Sequence, residues 1–131
     1  MESSEKTNIT LYSNGIKAGD FIYVSGQVPI SENGTVVGKD ITEQTKFVLE
    51  KIDNILKQFN ASLENVINIT VYLTDIKDFM DMNNTYIKFF KYNPPTRVCF
   101  EVSALAINAK IEISAIAYHP EVKEKYLESN K

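Results

Sequence analysis

The chain has 131 residues, of which 44% are hydrophobic and 24% charged, and its formal net charge is −3. This length predicts one globular domain over residues 1–131, with a core at about 9–118 and poorly ordered ends at 1–8 and 121–131. The acidic balance argues against a nucleic-acid partner or an anionic membrane surface, and no apolar run approaches the roughly 20 residues that a membrane span needs.

The cellular compartment is predicted from cysteine usage and from the first residues. Cys99 is the one cysteine of the sequence, so no internal disulfide forms, as is usual in a reducing compartment. The segment 1–10 is polar and lacks the apolar stretch of a secretory signal. We therefore expect a cytoplasmic protein, or a mitochondrial one if the source is a eukaryote.

The first predicted elements are a strand and a hairpin. A turn at 17–20 precedes the aromatic and β-branched strand 21–26. The pair at 33–34 is Asn-Gly, and it stands between two short apolar runs at 28–30 and 35–38. Because both residues tolerate positive φ, this pair is a strong hairpin signal.

A helix is predicted next, with Asp40 as its N-cap. The Asp40 carboxylate can accept free backbone N–H groups, and Glu43 follows at the capping-box spacing. Apolar residues recur every three to four positions and predict one buried helix face, formed by Val48, Ile52, Ile55, Leu56 and Phe59. Asn60 is the predicted stop.

The second half predicts a strand, a helix and two more strands. Apolar and polar residues alternate over 67–73, which is typical of a half-buried strand. A helix beginning at about Asp75 carries Phe79, Met82, Tyr86, Phe89 and Phe90 on its apolar side. Pro94 and Pro95 end it, since proline lacks the amide that a helix requires. Alternation returns over 98–102 and 111–118.

This order predicts an α+β fold with both helices packed on one face of the sheet. Two helices cannot cover both faces of a sheet of this size. The other face would then carry exposed aliphatic and aromatic residues, and self-association would bury it.

Few residues offer catalytic chemistry. His119 is the one histidine and lies beside Pro120 near the charged end, which argues against a metal site or a Ser-His triad. The glycines match no phosphate-binding loop. Cys99 lies in a strand pattern with no histidine nearby, so we interpret it as a small buried hydrophobe rather than a nucleophile.

Two charged residues stand out. Arg97 follows two prolines and begins an apolar strand, where its planar guanidinium is either a carboxylate clamp or an ordinary surface or salt-bridging group. Glu112 lies in the middle of the last strand. It is either a solvent-facing residue of an alternating strand or a carboxylate held in a cleft for proton transfer.

The wider sequence around these residues resembles the Rid family of reactive-intermediate imine deaminases. The segments 95–102 (PTRVCFEV) and 110–117 (KIEISAIA) are similar to the family's C-terminal signature. The opening 12–29 (YSNGIKAGDFIYVSGQVP) and the middle segments 70–79 and 83–86 also match. The blocks occur in the family's order and span about residues 9–118.

The resemblance implies a fold, an assembly and an activity. It implies a chorismate-mutase-like mixed sheet, a homotrimer with sites at subunit interfaces, and no metal or organic cofactor. The implied substrates are imines derived from 2-aminoacrylate and 2-aminocrotonate, which are hydrolysed to 2-keto acids and ammonia.

The resemblance also implies roles for individual residues. Arg97 would bind the substrate carboxylate, and Glu112 would place or activate the attacking water, with the Cys99 backbone carbonyl as a further acceptor. Tyr12, Ser25 and Asn83 would shape or line the pocket.

Four residues depart from the family pattern, and one of them, Gly15, stands where alanine is common. Val98 stands where a small hydroxyl residue is frequent, which bears on substrate preference. Ala106 and Leu11 each replace a proline and affect loop rigidity.

Two alternatives to the deaminase stay open. The first is a non-catalytic small-carboxylate-binding or regulatory module on the same trimeric fold, for which Glu112 is the discriminating residue. The second is RNA cleavage, against which the acidic balance and the isolated His119 argue.

Overall fold

The computed structural model describes residues 10–121, which form one mixed sheet of five strands and two α-helices. The elements are β1 (Gly15–Ala18), β2 (Phe21–Gln27), α1 (Ile41–Lys57), β3 (Val66–Leu73), α2 (Phe79–Phe89), β4 (Thr96–Glu101) and β5 (Ile111–Tyr118). The strand order is β1-β2-β5-β3-β4, and only the β3–β4 pair is parallel. The α+β prediction is confirmed. The ends predicted to be poorly ordered, 1–8 and 121–131, lie outside the described residues except for Glu121.

Both helices pack on one face of the sheet, as the sequence predicts. Alternate side chains of the central strand β5 are buried beneath them, and the buried face of α1 completes the same core cluster. Its fully buried members include Val48, Leu49, Ile52, Leu56, Ile69, Val71, Ile111 and Ile113. Burial of side chains of this size contributes about 1.5–3 kcal/mol each, so this layer dominates the stability of the fold.

The start of α1 confirms the predicted cap. The Asp40 carboxylate accepts a hydrogen bond from the Glu43 amide at 2.9 Å, while the Glu43 carboxylate accepts one from the Lys39 amide at 2.8 Å. The helix ends at Lys57, and Asn60 adopts the left-handed conformation with φ of 63° in the turn that follows. Capping side chains therefore fix the start of α1.

Three element boundaries differ from the sequence predictions. Residues 15–18 form the edge strand β1, so the predicted turn at 17–20 shrinks to 19–20. The Asn-Gly hairpin contains a single bridge, Ile30 to Val36, rather than two strands. The second α-helix begins at Phe79 because Asp75 caps a separate 3-10 turn over Ile76–Asp78.

The sheet face opposite the helices is uncovered in a single chain, and we call it the open face. The apolar alternation predicted for β4 lies on this face: Val98 and Phe100 are 54% and 43% exposed. Phe100 packs edge-on against Tyr72 at 5.2 Å between ring centres. Further exposed apolar side chains of the sheet are Ile16, Phe21, Tyr23 and Tyr118. Arg97 pairs with the buried Ile69, so its side chain lies on the helix side instead.

Candidate active site

The Arg97 guanidinium is held by one face of α2. Its Nη1 donates a hydrogen bond to Oδ1 of Asn83 at 2.8 Å. Its central carbon lies 4.7 Å from the ring centre of Tyr86 and 5.6 Å from that of Phe79. Both distances are within the range of cation–π attraction. Three side chains of one helix therefore fix the direction of this cation.

No carboxylate neutralises Arg97 within residues 10–121, where the one ion pair joins Lys57 to Asp53. The guanidinium borders a cavity of about 400 Å³. Its remaining lining residues are mostly apolar: Asn83, Tyr86, Ile87, Phe90, Lys91, Pro94 and Pro95. A fixed, unpaired guanidinium beside an apolar wall is suited to a small molecule with one carboxylate and a short apolar body.

The Tyr86 hydroxyl is the one anomaly of this wall. It is buried and has no hydrogen-bond partner in the described part of the chain. Burial raises the pKa of the phenol above its usual value, and the neighbouring Arg97 charge opposes that rise. The hydroxyl is therefore neutral at physiological pH and keeps a proton to donate.

Cys99 lies two residues after Arg97 and on the same side of the strand. Burial raises the pKa of its thiol, although the Arg97 charge acts in the opposite direction. The thiol is therefore protonated at neutral pH, which agrees with its interpretation as a non-nucleophile.

The Cys99 backbone lies on a sheet edge, because β4 is the last strand of the sheet. The Val102 amide donates to the Leu73 carbonyl at 2.7 Å, so it points towards β3. Backbone groups alternate in direction along a strand, and the carbonyl of Cys99 therefore points away from β3. It is placed to accept a hydrogen bond from a molecule outside this sheet.

Glu112 belongs to a second group of residues, on the open face. It lies opposite Tyr72 of β3, and its carboxylate packs over Gly26 of β2. The neighbouring Ser25 donates its hydroxyl to the Ser13 carbonyl at 2.5 Å. This bond ties the segment that carries the exposed Tyr12 to β2.

The structure thus divides the six predicted site residues into two groups. Arg97, Asn83 and Cys99 lie at the β4 edge, and the first two are joined by a hydrogen bond. Glu112 and Ser25 lie on β5 and β2, with Tyr12 in the segment next to them. The sheet separates Arg97 from Glu112, since the two side chains lie on opposite faces. One chain does not bring the predicted clamp and the predicted acid–base group together.

Sequence reasoning missed the aromatic support of Arg97. It assigned Phe79 and Tyr86 to the buried face of a helix, which is correct for packing but omits their contact with the cation. The signal is available in the spacing: residues 79, 83 and 86 lie one turn apart on one helix face, and the polar Asn83 interrupts an otherwise apolar stripe.

Neither a metal-binding cluster nor a membrane-spanning helix is found in the described residues. No cluster of three or more His, Cys, Asp or Glu side chains suited to a metal ion occurs in residues 10–121. Across the same residues, no helix combines the length and the apolar character needed to span a bilayer. His119 directly follows β5, and its amide donates a hydrogen bond to the carbonyl of Asp20 in the β1–β2 turn. Because β1 and β4 are the two outer strands of the sheet, His119 lies far from Arg97.

Comparison with known proteins gives the family. Residues 3–119 match the family model described as Endoribonuclease L-PSP. A RutC family protein of Pyrococcus abyssi is 50% identical over 108 residues, which cover 82% of this chain and 85% of that protein. The chloroplastic Reactive Intermediate Deaminase A of Arabidopsis thaliana is 39% identical over 118 residues, covering 88% of this chain and 63% of that protein.

A yeast protein provides both a sequence and a structural comparison. The mitochondrial protein MMF1 of Saccharomyces cerevisiae is 38% identical over 106 residues, covering 81% of this chain and 73% of that protein. The crystal structure of yeast Mmf1 superposes with a TM-score of 0.81 at 36% identity, covering 85% of this chain and 89% of that one.

The structure of Escherichia coli TdcF with bound serine is also similar. It has a TM-score of 0.79 at 33% identity and covers 85% of this chain and 90% of that one. Sequence and fold agree over nearly the whole described domain. The chain belongs to the Rid family, which includes the RutC proteins and reactive intermediate deaminases.

Proposed function

We propose that this protein is a cofactor-independent imine deaminase that hydrolyses small 2-imino acids to 2-keto acids and ammonia. The observation that carries the proposal is the Arg97 guanidinium, which α2 fixes through Asn83 and Tyr86 without a neutralising carboxylate in the described residues. An imine derived from 2-aminoacrylate or 2-aminocrotonate has one carboxylate and a short apolar body, which fits the cavity beside it. The name of the Arabidopsis relative supports the same activity.

The proposed reaction adds water across the C=N bond. Arg97 binds the carboxylate through two parallel N–H···O bonds and holds the imine carbon in place. Glu112 accepts a proton from the attacking water and returns it to the imine nitrogen, while the Cys99 carbonyl accepts a hydrogen bond from the water's other O–H. Glu112 then transfers the hydroxyl proton of the carbinolamine to its nitrogen, so that the C–N bond breaks, ammonia leaves and the C=O bond of the keto acid forms. Orientation and general acid–base help are together sufficient, at about 10²–10⁴ in rate for the latter.

The separation of Arg97 from Glu112 supports a site shared between subunits. We propose a homotrimer in which the β4 edge of one chain, with Arg97, Asn83 and Cys99, meets the open face of the next. Glu112 and Ser25 of the partner subunit, with Tyr12 beside them, would complete the pocket. The exposed apolar side chains of the open face, including Val98 and Phe100, are the surface that such contacts would bury.

The remaining proposals concern partners and location. The proposed partners are the small imine, its keto acid product and two further copies of the chain, with no nucleic acid or membrane. We propose a cytoplasmic location. Relatives named as mitochondrial and chloroplastic occur in yeast and Arabidopsis, so a mitochondrial location is the alternative in a eukaryote.

A coupled assay tests the activity. Threonine dehydratase generates the imine, and the protein should accelerate release of keto acid and ammonia above the spontaneous rate. Arg97→Ala should abolish the acceleration while the protein stays folded, and Lys88→Ala, which removes an exposed cation from α2, should leave it unchanged. Equal activity of the Arg97→Ala variant and the parent would refute the mechanism.

A non-catalytic carboxylate-binding module is the second candidate. The Arg97 cavity would bind keto acids without turnover, and the TdcF structure holds a small carboxylate, serine, in a relative. Glu112→Gln separates the two functions, with the exposed Glu50→Gln as the charge-matched control. If the protein is a deaminase, kcat falls in the Glu112→Gln variant. If the parent protein is inactive and its Glu112→Gln variant binds pyruvate more tightly, the protein is a binding module.

A further inference from the structure

The strand that faces Glu112 contains a β-bulge. Val24 pairs with Ala115 and Gln27 with Ile113, so two residues of β2 stand opposite a single residue of β5. Those two residues are Ser25 and Gly26. A bulge bends its strand and redirects side chains, and it is often found beside active sites. Here it brings the Gly26 backbone next to the Glu112 side chain.

The Glu112 carboxylate occupies the space that a side chain at position 26 would need. A Cβ built on Gly26 would lie 2.1 Å from Oε2 of Glu112, 2.9 Å from its Cδ and 3.2 Å from its Cγ. Contacts below 3.0 Å are essentially never made by real Cβ atoms, so a methyl group at position 26 would require the Glu112 carboxylate to move.

Backbone conformation does not explain the glycine. Gly19, Gly34 and Gly38 have positive φ, but Gly26 does not. The φ angle at this position therefore does not require glycine, and the requirement for glycine is one of space. The three heavy atoms nearest to the built Cβ all belong to the Glu112 side chain.

Few other contacts in the chain direct the carboxylate. Glu112 forms no hydrogen bond with side chains and no ion pair within residues 10–121, and its neighbour across β3 is Tyr72. We propose that Gly26 is a positioning residue for Glu112: the missing side chain provides the place in which the carboxylate lies beside the bulge. This inference rests on the proposed function for its effect on catalysis.

The expected effect follows from the geometry. In Gly26→Ala the carboxylate must retreat from 2.1 Å to beyond 3.0 Å, a displacement of nearly 1 Å. A misplacement of about 1 Å in a catalytic group can cost about 10²-fold in rate. We expect kcat to fall about 100-fold and KM to change little, because the added methyl displaces Glu112 and leaves the contacts that hold the Arg97 guanidinium unchanged.

The test is a double-mutant cycle in the coupled assay. It compares the parent, Gly26→Ala, Glu112→Gln and the double variant, with Gly15→Ala as the control. Gly15 lies on the neighbouring strand β1, also lacks positive φ, and its added methyl would meet Ile55 and Phe59 rather than Glu112. If Gly26 acts through Glu112, the methyl costs no further kcat in the Glu112→Gln background, and Gly15→Ala keeps the parent rate.

Two results would overturn the inference. One is an additive loss in the double variant, and the other is a Gly26→Ala enzyme with the parent kcat. A crystal structure of Gly26→Ala provides a readout that needs no turnover: the Glu112 carboxylate should move away from residue 26, and an unmoved carboxylate also overturns the proposal. An inactive parent protein would refute the proposed deaminase function and not the role of Gly26. In that case the displacement of Glu112 in the crystal alone decides whether Gly26 positions the carboxylate.

Discussion

The guanidinium carbon of Arg97 lies 4.7 Å from the ring centre of Tyr86, whose buried hydroxyl has no partner in the described residues. The ring therefore supports the cation, while the hydroxyl forms no hydrogen bond that would stabilise the folded chain. These two parts of one side chain are separable by mutation. The contact of the ring with Arg97 predicts an effect on substrate binding, whereas the orphaned hydroxyl predicts an effect on stability.

Substitutions at Tyr86 separate the two effects. Tyr86→Phe keeps the ring and removes an unsatisfied buried hydroxyl, so we expect the free energy of unfolding to rise by about 1 kcal/mol with KM nearly unchanged. Tyr86→Leu removes the ring, and the loss of about 0.5–2 kcal/mol of cation–π attraction should raise KM by about 2- to 30-fold. Urea unfolding and steady-state kinetics measure these changes. A Phe variant with a strongly raised KM would show instead that the hydroxyl contacts the substrate.

Asn83 accepts a hydrogen bond from Arg97 as a neutral group. A negative charge at position 83 should therefore weaken substrate binding. Asn83→Asp would place a carboxylate about 2.8 Å from Nη1, where it competes with the substrate anion for the guanidinium. We expect KM to rise at least about 10-fold, with little loss of stability, since the new ion pair is favourable to the fold. Asn84→Asp adds the same charge to an exposed position of α2 and should keep the parent KM.

Cys99 provides a pH-dependent readout of the same cation. Its pKa is raised by burial and partly lowered again by Arg97, so the alkylation rate should increase with pH around a midpoint above 9.0, the ordinary value of the thiol. Arg97→Met removes the charge that favours the thiolate and should move the midpoint higher still. Iodoacetamide labelling across pH 7–11 measures it. A midpoint that falls in the Met variant would contradict the placement of Arg97 beside the thiol.

The sequence predicts most of the fold because its patterns reflect burial on one face. The alternation over 111–118 and the helical period after Asp40 both give the correct core. In β4 the apolar alternation of Val98 and Phe100 marks the open face and not the core. Alternation shows that two faces differ, but it does not show which of them meets the helices.

The candidate site was less accessible to sequence reasoning, since its parts depend on contacts between distant segments. Arg97 and Glu112 stand out as single residues, yet the sequence does not show that a sheet lies between them. The contact of Tyr86 with Arg97 and the fit of Glu112 over Gly26 depend on strand register and on a bulge. Neither is visible in a local pattern, because residues 26 and 112 become neighbours only after the sheet has formed.

The exposed apolar side chains of the open face indicate that it is a contact surface between the subunits of the proposed trimer. Phe100→Glu places a charge on a side chain that is 43% exposed in one chain, so the fold should tolerate it while subunit contacts on this face should not. We expect a change from three copies to a single chain of 14.9 kDa in analytical ultracentrifugation, with loss of deaminase activity. Val36→Glu is the matched control, since Val36 is 44% exposed but lies on the hairpin outside the sheet. A Phe100 variant that stays trimeric and active would show that the open face is not the interface.

Complementation tests whether Arg97 and Glu112 act from different chains. Arg97→Ala and Glu112→Gln are each expected to be inactive alone. In trimers assembled from an equal mixture of the two, a shared site is intact when the first chain provides Arg97 and its neighbour provides Glu112. Random assembly makes this true for about one quarter of the sites.

The measurement is keto acid release by the co-expressed variants, relative to the parent. Recovery of about a quarter of the parent activity supports a shared site, and it should vanish when the two proteins are mixed without exchange of subunits. Two residues acting from the same chain would give no recovery, because every chain in the mixture lacks one of them. Since the sheet places their side chains on opposite faces of one chain, that second outcome would require a large rearrangement of β4.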